Sequence, residues 1–434
     1  MSIAGFTGTE IWPDAEGFAE MASSYGAGGA PAVVLRPGSA SDVAAALRHA
    51  ADQGLPVAVR SGGHSAFATL EDGVLIDLQG IHDVEILGSN RVRIGSGAIW
   101  GDVARALQPH GLALSAGDTT SVGVGGLTLG GGIGWMVRQH GLALDSLVEA
   151  EVVLASGEIV TANSAFEPEL FWAVRGGGGN FGVVTRFTFQ AHPLGAVIAG
   201  AITLDPDALP GSLRGWRDVM RDAPRDLNTT FLAMPAFGPE MPASTMLAYC
   251  FASSDRAAAT AALAPLLQIP GVLGHTMEEK PYADVLEDPH PPEGEIAIIG
   301  NNTFADDFTD ELIDLLARAH SGFGAAVLMI RYLRGALNEV PVDATAFAHR
   351  KAEVLIISIA FLPPDAVAEA EPAIGAAWAT LAPHTVGLYG NFTERATPEV
   401  LGAMYPPGTA ARLREAKRRY DPRNLFAHNQ NIAP

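Results

Sequence analysis

An α+β fold in two large lobes is what this sequence predicts, on three observations. The chain has 434 residues, and at ~150 residues per domain that is a prior of about three structural lobes, with one or two large domains the working expectation. Hydrophobic residues make up 48% of it and charged ones 17%, enough apolar surface to build packed cores and too much for global disorder. The pattern also changes part-way: alternating strands and helices run to about residue 190, the composition shifts at His192-Pro193, and longer strands with helices between them follow.

The opening elements carry their own punctuation. The apolar run Pro31 to Leu35 is a strand, Ser39 and Ser41 are candidate N-caps, and Val43, Ala46, Leu47 and Ala50 share one helical face that Gly54 terminates. Leu55 to Arg60 is a short buried strand, the loop Arg60-Ser-Gly-Gly-His-Ser65 follows, and Gly73 to Leu78 is the next strand, making a βαβ-like start. Strands at 84–87, 91–94, 149–154 and 183–190, with helices at 100–108 and through Leu170 to Val174, complete the first lobe. In the second, Val197 to Leu204, Val327 to Leu333 and Val354 to Phe361 are strands, Asp310 to His320 is a helix, and 288–294 is the most obvious loop. A basic helix, Ala411 to Tyr420, leads to an extended tail.

Charge and cysteine content exclude whole classes of function. Twenty-seven Lys+Arg against 48 Asp+Glu give a net charge of −21, which repels phosphate backbones and anionic lipid, so neither nucleic acid nor a membrane is an expected partner. No apolar run approaches the ~18 residues of a membrane span, and no signal-like start is present. The lone Cys250 cannot form an internal disulfide; a cytoplasmic protein, monomer or homo-oligomer, acting on a small molecule is the expectation.

The chemistry must come from outside the side chains. The twelve histidines are dispersed with no HExxH signature, so no metal is expected; no GxSxG elbow is present, and none of Lys280, Lys351 and Lys417 follows a phosphate-binding glycine loop. An organic cofactor is the natural supplier. Gly177, Gly179 and Gly182 satisfy GxGxxG, but a helix precedes and a β-branched strand follows, the reverse of what a nicotinamide-dinucleotide site needs. The tract Gly123 to Gly134, preceded by Ala116 to Ser121, and the loop Arg60 to Ser65 are two amide-rich turns whose backbone N–H groups can approach a pyrophosphate or a flat heterocycle. Tight packing between neighbouring elements is the competing explanation for the glycines.

Six co-linear motifs, RSGGHS (60–65), SVGVGGLTLGGGIG (121–134), ELFWAVRGGGGNFGVVT (169–185), DATAFAHR (343–350), YGNF (389–392) and RRYDPRNLFAHNQNI (418–432), resemble the berberine-bridge-enzyme-like flavin oxidases of the vanillyl-alcohol oxidase/p-cresol methylhydroxylase (PCMH) class. The resemblance implies a PCMH-type FAD-binding domain over 1–195, a substrate domain with an antiparallel sheet covered by helices over 196–400, and a C-terminal segment, 401–434, returning to the first. It implies FAD bound through Arg60, Ser61, Gly62, Gly63, His64, Ser65, Gly117, Asp118, Thr119, Ser121, Val122, Gly123, Gly125, Gly126, Gly130, Gly134, Gly179, Val183 and Asn429. His64 would carry the flavin covalently on its 8α carbon. Thr119 stands where many members have a second, cysteinyl link, so one covalent bond is expected. Val122 would border the oxygen side of the flavin, and Leu127 replaces a histidine found in members with two links. The strand after the FAHR motif offers only Ser358 where some relatives place a glutamate base. Tyr389, with Asn391 beside it, is then the catalytic candidate, and a buried sheet aromatic its plainer role. As a base at pH 7 it needs a pKa depressed by positive charge, for which Arg331, Arg334 and Arg350 are available, or proton removal concerted with hydride transfer. The implied activity is hydride transfer from an alcohol or amine C–H to flavin N5, with O2 reoxidising the flavin to give H2O2. A flavin dehydrogenase, or a flavin-binding protein without turnover, is the alternative.

Overall fold

The computed structural model describes residues 3–25, 27–236, 242–288, 296–322 and 326–434. Its first sheet runs in the order Thr9–Ile11, Val33–Arg36, Val74–Asp77, Val57–Arg60, the last three strands parallel. The crossover between two of them is the helix Ala40–Gln53. Ser39 caps its start, accepting the Asp42 N–H at 3.2 Å, and Gly54 closes it at φ 66°, a left-handed turn that a side chain resists. Val43, Leu47, Val57, Val74 and Ile76 form the core beneath.

A second, antiparallel sheet follows in the order Val84–Ile86, Arg91–Gly95, Val183–Gln190, Leu147–Val153, Ile159–Asn163. The helix Trp100–Leu107 and the helix Pro168–Ala173 pack on it through Trp100, Leu107, Leu170 and Phe171. The glycine tract is partly helical: Val124–Gly130 forms two turns.

The third sheet has eight strands among the described residues. Ala196–Leu204, Val354–Leu362 and Ala326–Tyr332 lie within a residue or two of the strands expected from sequence. Leu227–Met234, Ser244–Phe251 and Ala297–Ala305 were not anticipated, nor were the helices Leu209–Asp222 and Val367–Ala379. One face is sealed by helices over Ile202, Phe231, Leu247, Ile330 and Ile356. On the other, cross-strand register lines up Thr203, Met246, Leu232, Met329, Ile357 and Asn302 in one row and Ala201, Ala248, Thr230, Arg331, Leu355 and Phe304 in the next. That face is apolar apart from a few side chains, and it meets the glycine tract: Arg331 donates to the Ile133 carbonyl at 3.0 Å, and the Arg138 N–H to Asn228 Oδ1 at 3.0 Å.

The last helix begins at Pro407 rather than Ala411 and ends at Tyr420. Its Lys417 is fully buried, donating to the carbonyls of Asn180 and Phe426 and pairing with Asp421 at 2.8 Å, so it fastens the tail to the glycine turn at 177–182. The loop expected over 288–294 lies, after Asp288, outside the described residues. No described helix is long and apolar enough to cross a membrane, and the described residues contain no cluster of three or more metal-ligating side chains.

Candidate active site

Two backbone turns meet because both lack side chains at the contact. A Cβ on Gly62 would lie 2.3 Å from the Gly123 nitrogen, and one on Gly123 would lie 2.1 Å from the Gly62 nitrogen. Ser61 locks the approach, donating to the Ser96 carbonyl at 2.6 Å and accepting the Gly125 N–H at 3.2 Å. Gly63 is left-handed at φ 80°. No described acceptor meets the N–H groups of Gly62, Gly63 or His64, so consecutive donors are left available around the turn. Such a nest suits an anion, and the glycine contacts leave room only for backbone. Gly123→Ala is expected to push the turns apart, so that the purified protein retains well under half of the wild-type flavin-to-protein absorbance ratio. Gly88→Ala, with nothing within 4 Å of the new methyl, should keep it.

His64 stands at the end of this turn, half-buried. Its Nε2 lies 2.9 Å from Ser121 Oγ and its ring stacks on Tyr25 at 5.1 Å between centroids. Burial depresses its pKa, partly offset by the Asp288 carboxylate, so the imidazole is neutral at pH 7. Ser65 accepts the Phe67 N–H at 3.2 Å and starts the next turn.

Tyr389 is reached from the far side of the tract. Its hydroxyl accepts the Gly132 N–H at 2.8 Å and the Asn391 Nδ2 at 2.9 Å, and the same Nδ2 donates to the Leu127 carbonyl at 3.1 Å. A Cβ on Gly130 would fall 2.0 Å from Asn391 Oδ1, and one on Gly131 would fall 3.0 Å from the Tyr389 ring. Asn302 clamps the segment, with Oδ1 accepting the Tyr389 N–H at 2.7 Å and Nδ2 donating to the Phe392 carbonyl at 3.0 Å. Gln430 donates to the Gly390 and Thr393 carbonyls from the tail at 3.2 and 2.9 Å. Neither Asn302 nor Gln430 was singled out in the sequence. The alternation in Ala297–Ala305, which puts Asn302 on the face of Phe304, could have found the first.

Burial pushes the Tyr389 phenol up to about 12, against the opposing pull of the Gly132 and Asn391 donors and of Arg331. The depressed pKa that a resting tyrosinate base needs is therefore not met. Of the three arginines considered, Arg331 alone is near: Arg350 is paired with Asp145 at 2.8 Å and Arg334 with Glu353 at 3.2 Å. Arg331 pairs with Asp118 at 2.5 Å, tying the sheet to the segment before the glycine tract. The pair is largely buried, the side chains 7% and 25% exposed. Arg331→Met is expected to cost about 2 kcal/mol by urea unfolding, less than the ~3–5 for a fully buried pair because Asp118 keeps some water.

The remaining predicted residues separate into two groups. Gly117 contacts Leu127, Thr119 pairs with Glu287, the Val122 carbonyl accepts the Trp100 N–H, and Gly134 abuts the Ala116 carbonyl; all line the same tract, as does the open Gly126. Asn429 Nδ2 meets the Gly179 carbonyl at 3.5 Å, and its buried Oδ1 has no hydrogen-bond partner among the described residues. Arg60 turns away, donating to Asp77 and to the Ser23 carbonyl, and Val183 sits in the core beside Val57 and Val74. Ser358 lies among the helix-covered residues, with its hydroxyl unpartnered; the face of its strand toward Tyr389 carries Leu355, Ile357 and Ile359. No carboxylate stands on that strand face.

Residues 31–163 match the family model described as FAD binding domain, and residues 389–433 the one described as berberine and berberine like. (R)-6-hydroxynicotine oxidase of Paenarthrobacter nicotinovorans is 30% identical over 456 residues, which cover 98% of this chain and 97% of that protein. The crystal structure of 6-hydroxy-D-nicotine oxidase from Arthrobacter nicotinovorans aligns with a TM-score of 0.86 at 28% identity, over 99% of this chain and 98% of that one. Glucooligosaccharide oxidase of Acremonium strictum, described with a 6-S-cysteinyl, 8α-N1-histidyl FAD, shares the fold at 24% identity and a TM-score of 0.84, over 98% and 97% of the two chains.

Proposed function

Since the chain belongs to the berberine-bridge-enzyme-like FAD-linked oxidases of the PCMH class, we propose that it oxidises an apolar small molecule at a C–H bond next to nitrogen or oxygen, with O2 as the electron acceptor. The FAD would accept hydride at N5 and pass the electron pair to O2, giving H2O2. The relatives named as hydroxynicotine oxidases are a precedent for a nitrogen-containing substrate. For this reading we divide the chain into an FAD-binding part, 1–195, a substrate part, 196–400, and a returning segment, 401–434.

The amide turn at 62–64 would hold the pyrophosphate, and His64 the flavin. One covalent link is proposed: Thr119 offers no thiol, and Cys250 is buried within another core cluster. The unpartnered Asn429 Oδ1 is a further acceptor for the cofactor.

The observation that carries the substrate reading is the sheet face itself. Leu232, Met234, Met246, Met329, Ile357 and Ile359 make a floor of carbon and sulfur, with Thr203 and Asn302 at its margins. Such a floor binds flat apolar groups and gives a sugar's hydroxyls few partners. Tyr389 and Asn391 supply the polar contact. With both lone pairs engaged by Gly132 and Asn391, the neutral phenol presents its own O–H to the substrate heteroatom. A neutral amine needs no proton removed before its hydride leaves, so this arrangement suits it; an alcohol would have to pass its O–H proton to solvent, because the phenol oxygen has no free lone pair. Anaerobic bleaching of the flavin by a panel of cyclic amines, aryl alcohols and oligosaccharides tests this, with the apolar members expected to bleach first.

A further inference from the structure

Resting on the reading that His64 carries the flavin, we propose that Ser121 and Asp288 are positioning residues for the attachment reaction: they hold the imidazole by Nε2 and accept the charge that forms on it as the bond is made.

Two contacts hold the ring, and two hydrogen bonds brace them. Ser121 Oγ lies 2.9 Å from Nε2, while no described residue hydrogen-bonds Nδ1. Tyr25 stacks on the imidazole with planes 12° apart, and its N–H donates to the Gly63 carbonyl at 2.7 Å, in the turn that carries the histidine. Asp288 Oδ1 accepts the Ser121 N–H at 2.9 Å, which holds the serine in place and sets a carboxylate near the ring. We assign this contact to the Nε2–H tautomer, with the serine oxygen accepting; the lone pair then lies on Nδ1, the nitrogen that attacks.

The chemistry needs such a partner. The bond formed joins Nδ1 to the 8α-methyl carbon of FAD. The carbon gives up one hydrogen and the imidazole gives up its N–H hydrogen. Those two hydrogens, with their electron pair, reduce the flavin ring system, and O2, the oxidant of the proposed activity, removes them as H2O2. Alkylation at Nδ1 makes the ring cationic until Nε2 releases its proton. Ser121 Oγ is the acceptor already in contact with that proton, and the Asp288 carboxylate favours the cation by charge.

Asp288 comes from beyond the first lobe. It follows Glu287, whose N–H donates to the Asp118 carbonyl at 3.0 Å and whose carbonyl accepts the Thr120 N–H at 3.2 Å. Attachment thus depends on this segment docking against the glycine tract, which couples cofactor fixation to assembly of the whole chain.

The test follows covalent and total flavin separately in full-length wild type, Ser121→Ala, Ser121→Thr and Asp288→Asn, purified as expressed and then incubated with FAD in air. Total flavin is read by absorbance, covalent flavin by fluorescence of the denatured protein. Ser121→Ala should still bind FAD but attach it about 100-fold more slowly, the lower end for lost proton-transfer catalysis, and Ser121→Thr should restore the rate. Asp288→Asn should slow it about tenfold, with binding retained. Attachment at the wild-type rate in Ser121→Ala overturns the proposal. So does loss of all FAD in Ser121→Ala alongside normal attachment in Asp288→Asn, since the serine would then serve only the loop. Wild type without covalent flavin would overturn the His64 reading and this inference together.

Discussion

Replacing Tyr389 with phenylalanine is expected to slow reduction of the flavin by substrate about 100-fold, equivalent to ~2.7 kcal/mol of barrier. The substitution keeps the ring and its edge contacts with Phe304, Phe347 and Phe392 at centroid distances of 5.2 to 6.3 Å. It removes the oxygen that accepts the Gly132 and Asn391 N–H groups; Asn391 keeps the Leu127 carbonyl, and the buried Gly132 donor left orphaned costs about 1–3 kcal/mol of stability. Rapid mixing of variant and substrate without oxygen separates that structural cost from the chemical one, because reoxidation is absent from the signal. The sign of the pH dependence follows from burial. The phenol, pushed up to about 12, stays protonated through the neutral range, so the wild-type reduction rate should show no inflection below pH ~10 belonging to Tyr389. An inflection near neutrality that vanishes in Tyr389→Phe would restore the tyrosinate base. A loss below about threefold would pass the role to Asn391 or to solvent.

His64→Ala should abolish acid-stable flavin. Wild-type protein precipitated by acid stays yellow, and the variant's pellet is colourless. The variant is nevertheless expected to bind FAD reversibly, because Ser61, Gly62, Gly63 and Gly123 form the anion nest without the imidazole. A yellow pellet from the variant would move the covalent link to another residue.

What could be read from sequence was whatever is local. The helix Ala40–Gln53 announced itself because Ser39 and Gly54 do their capping within one turn of its ends, and the two glycine turns because only glycine permits their contact. The middle sheet was half hidden. Leu227–Met234 is buried along nearly its whole length and its polar residues Asn228, Thr229 and Thr230 are consecutive, so no polar alternation marks it as a strand. Register was hidden too. Ser358 stands on the strand where some relatives place a glutamate base, but its parity belongs to the helix side, while Leu355 and Ile357 face Tyr389. The Arg331–Asp118 pair joins segments far apart in the chain, and nothing near either residue advertises the other. Lys417 was counted in a basic helix, yet its three buried acceptors, Asn180, Asp421 and Phe426, make it a fastening for the tail.

The most direct test of the central claim is anaerobic titration of the purified yellow protein with the panel of cyclic amines, aryl alcohols and oligosaccharides, followed by admission of air. The account predicts that apolar amines or alcohols bleach the flavin, that oligosaccharides do not, and that air restores the colour within seconds with stoichiometric H2O2. Bleaching by oligosaccharides alone would contradict the apolar floor, and a flavin that no compound reduces, or that stays reduced in air for many minutes, would contradict the oxidase.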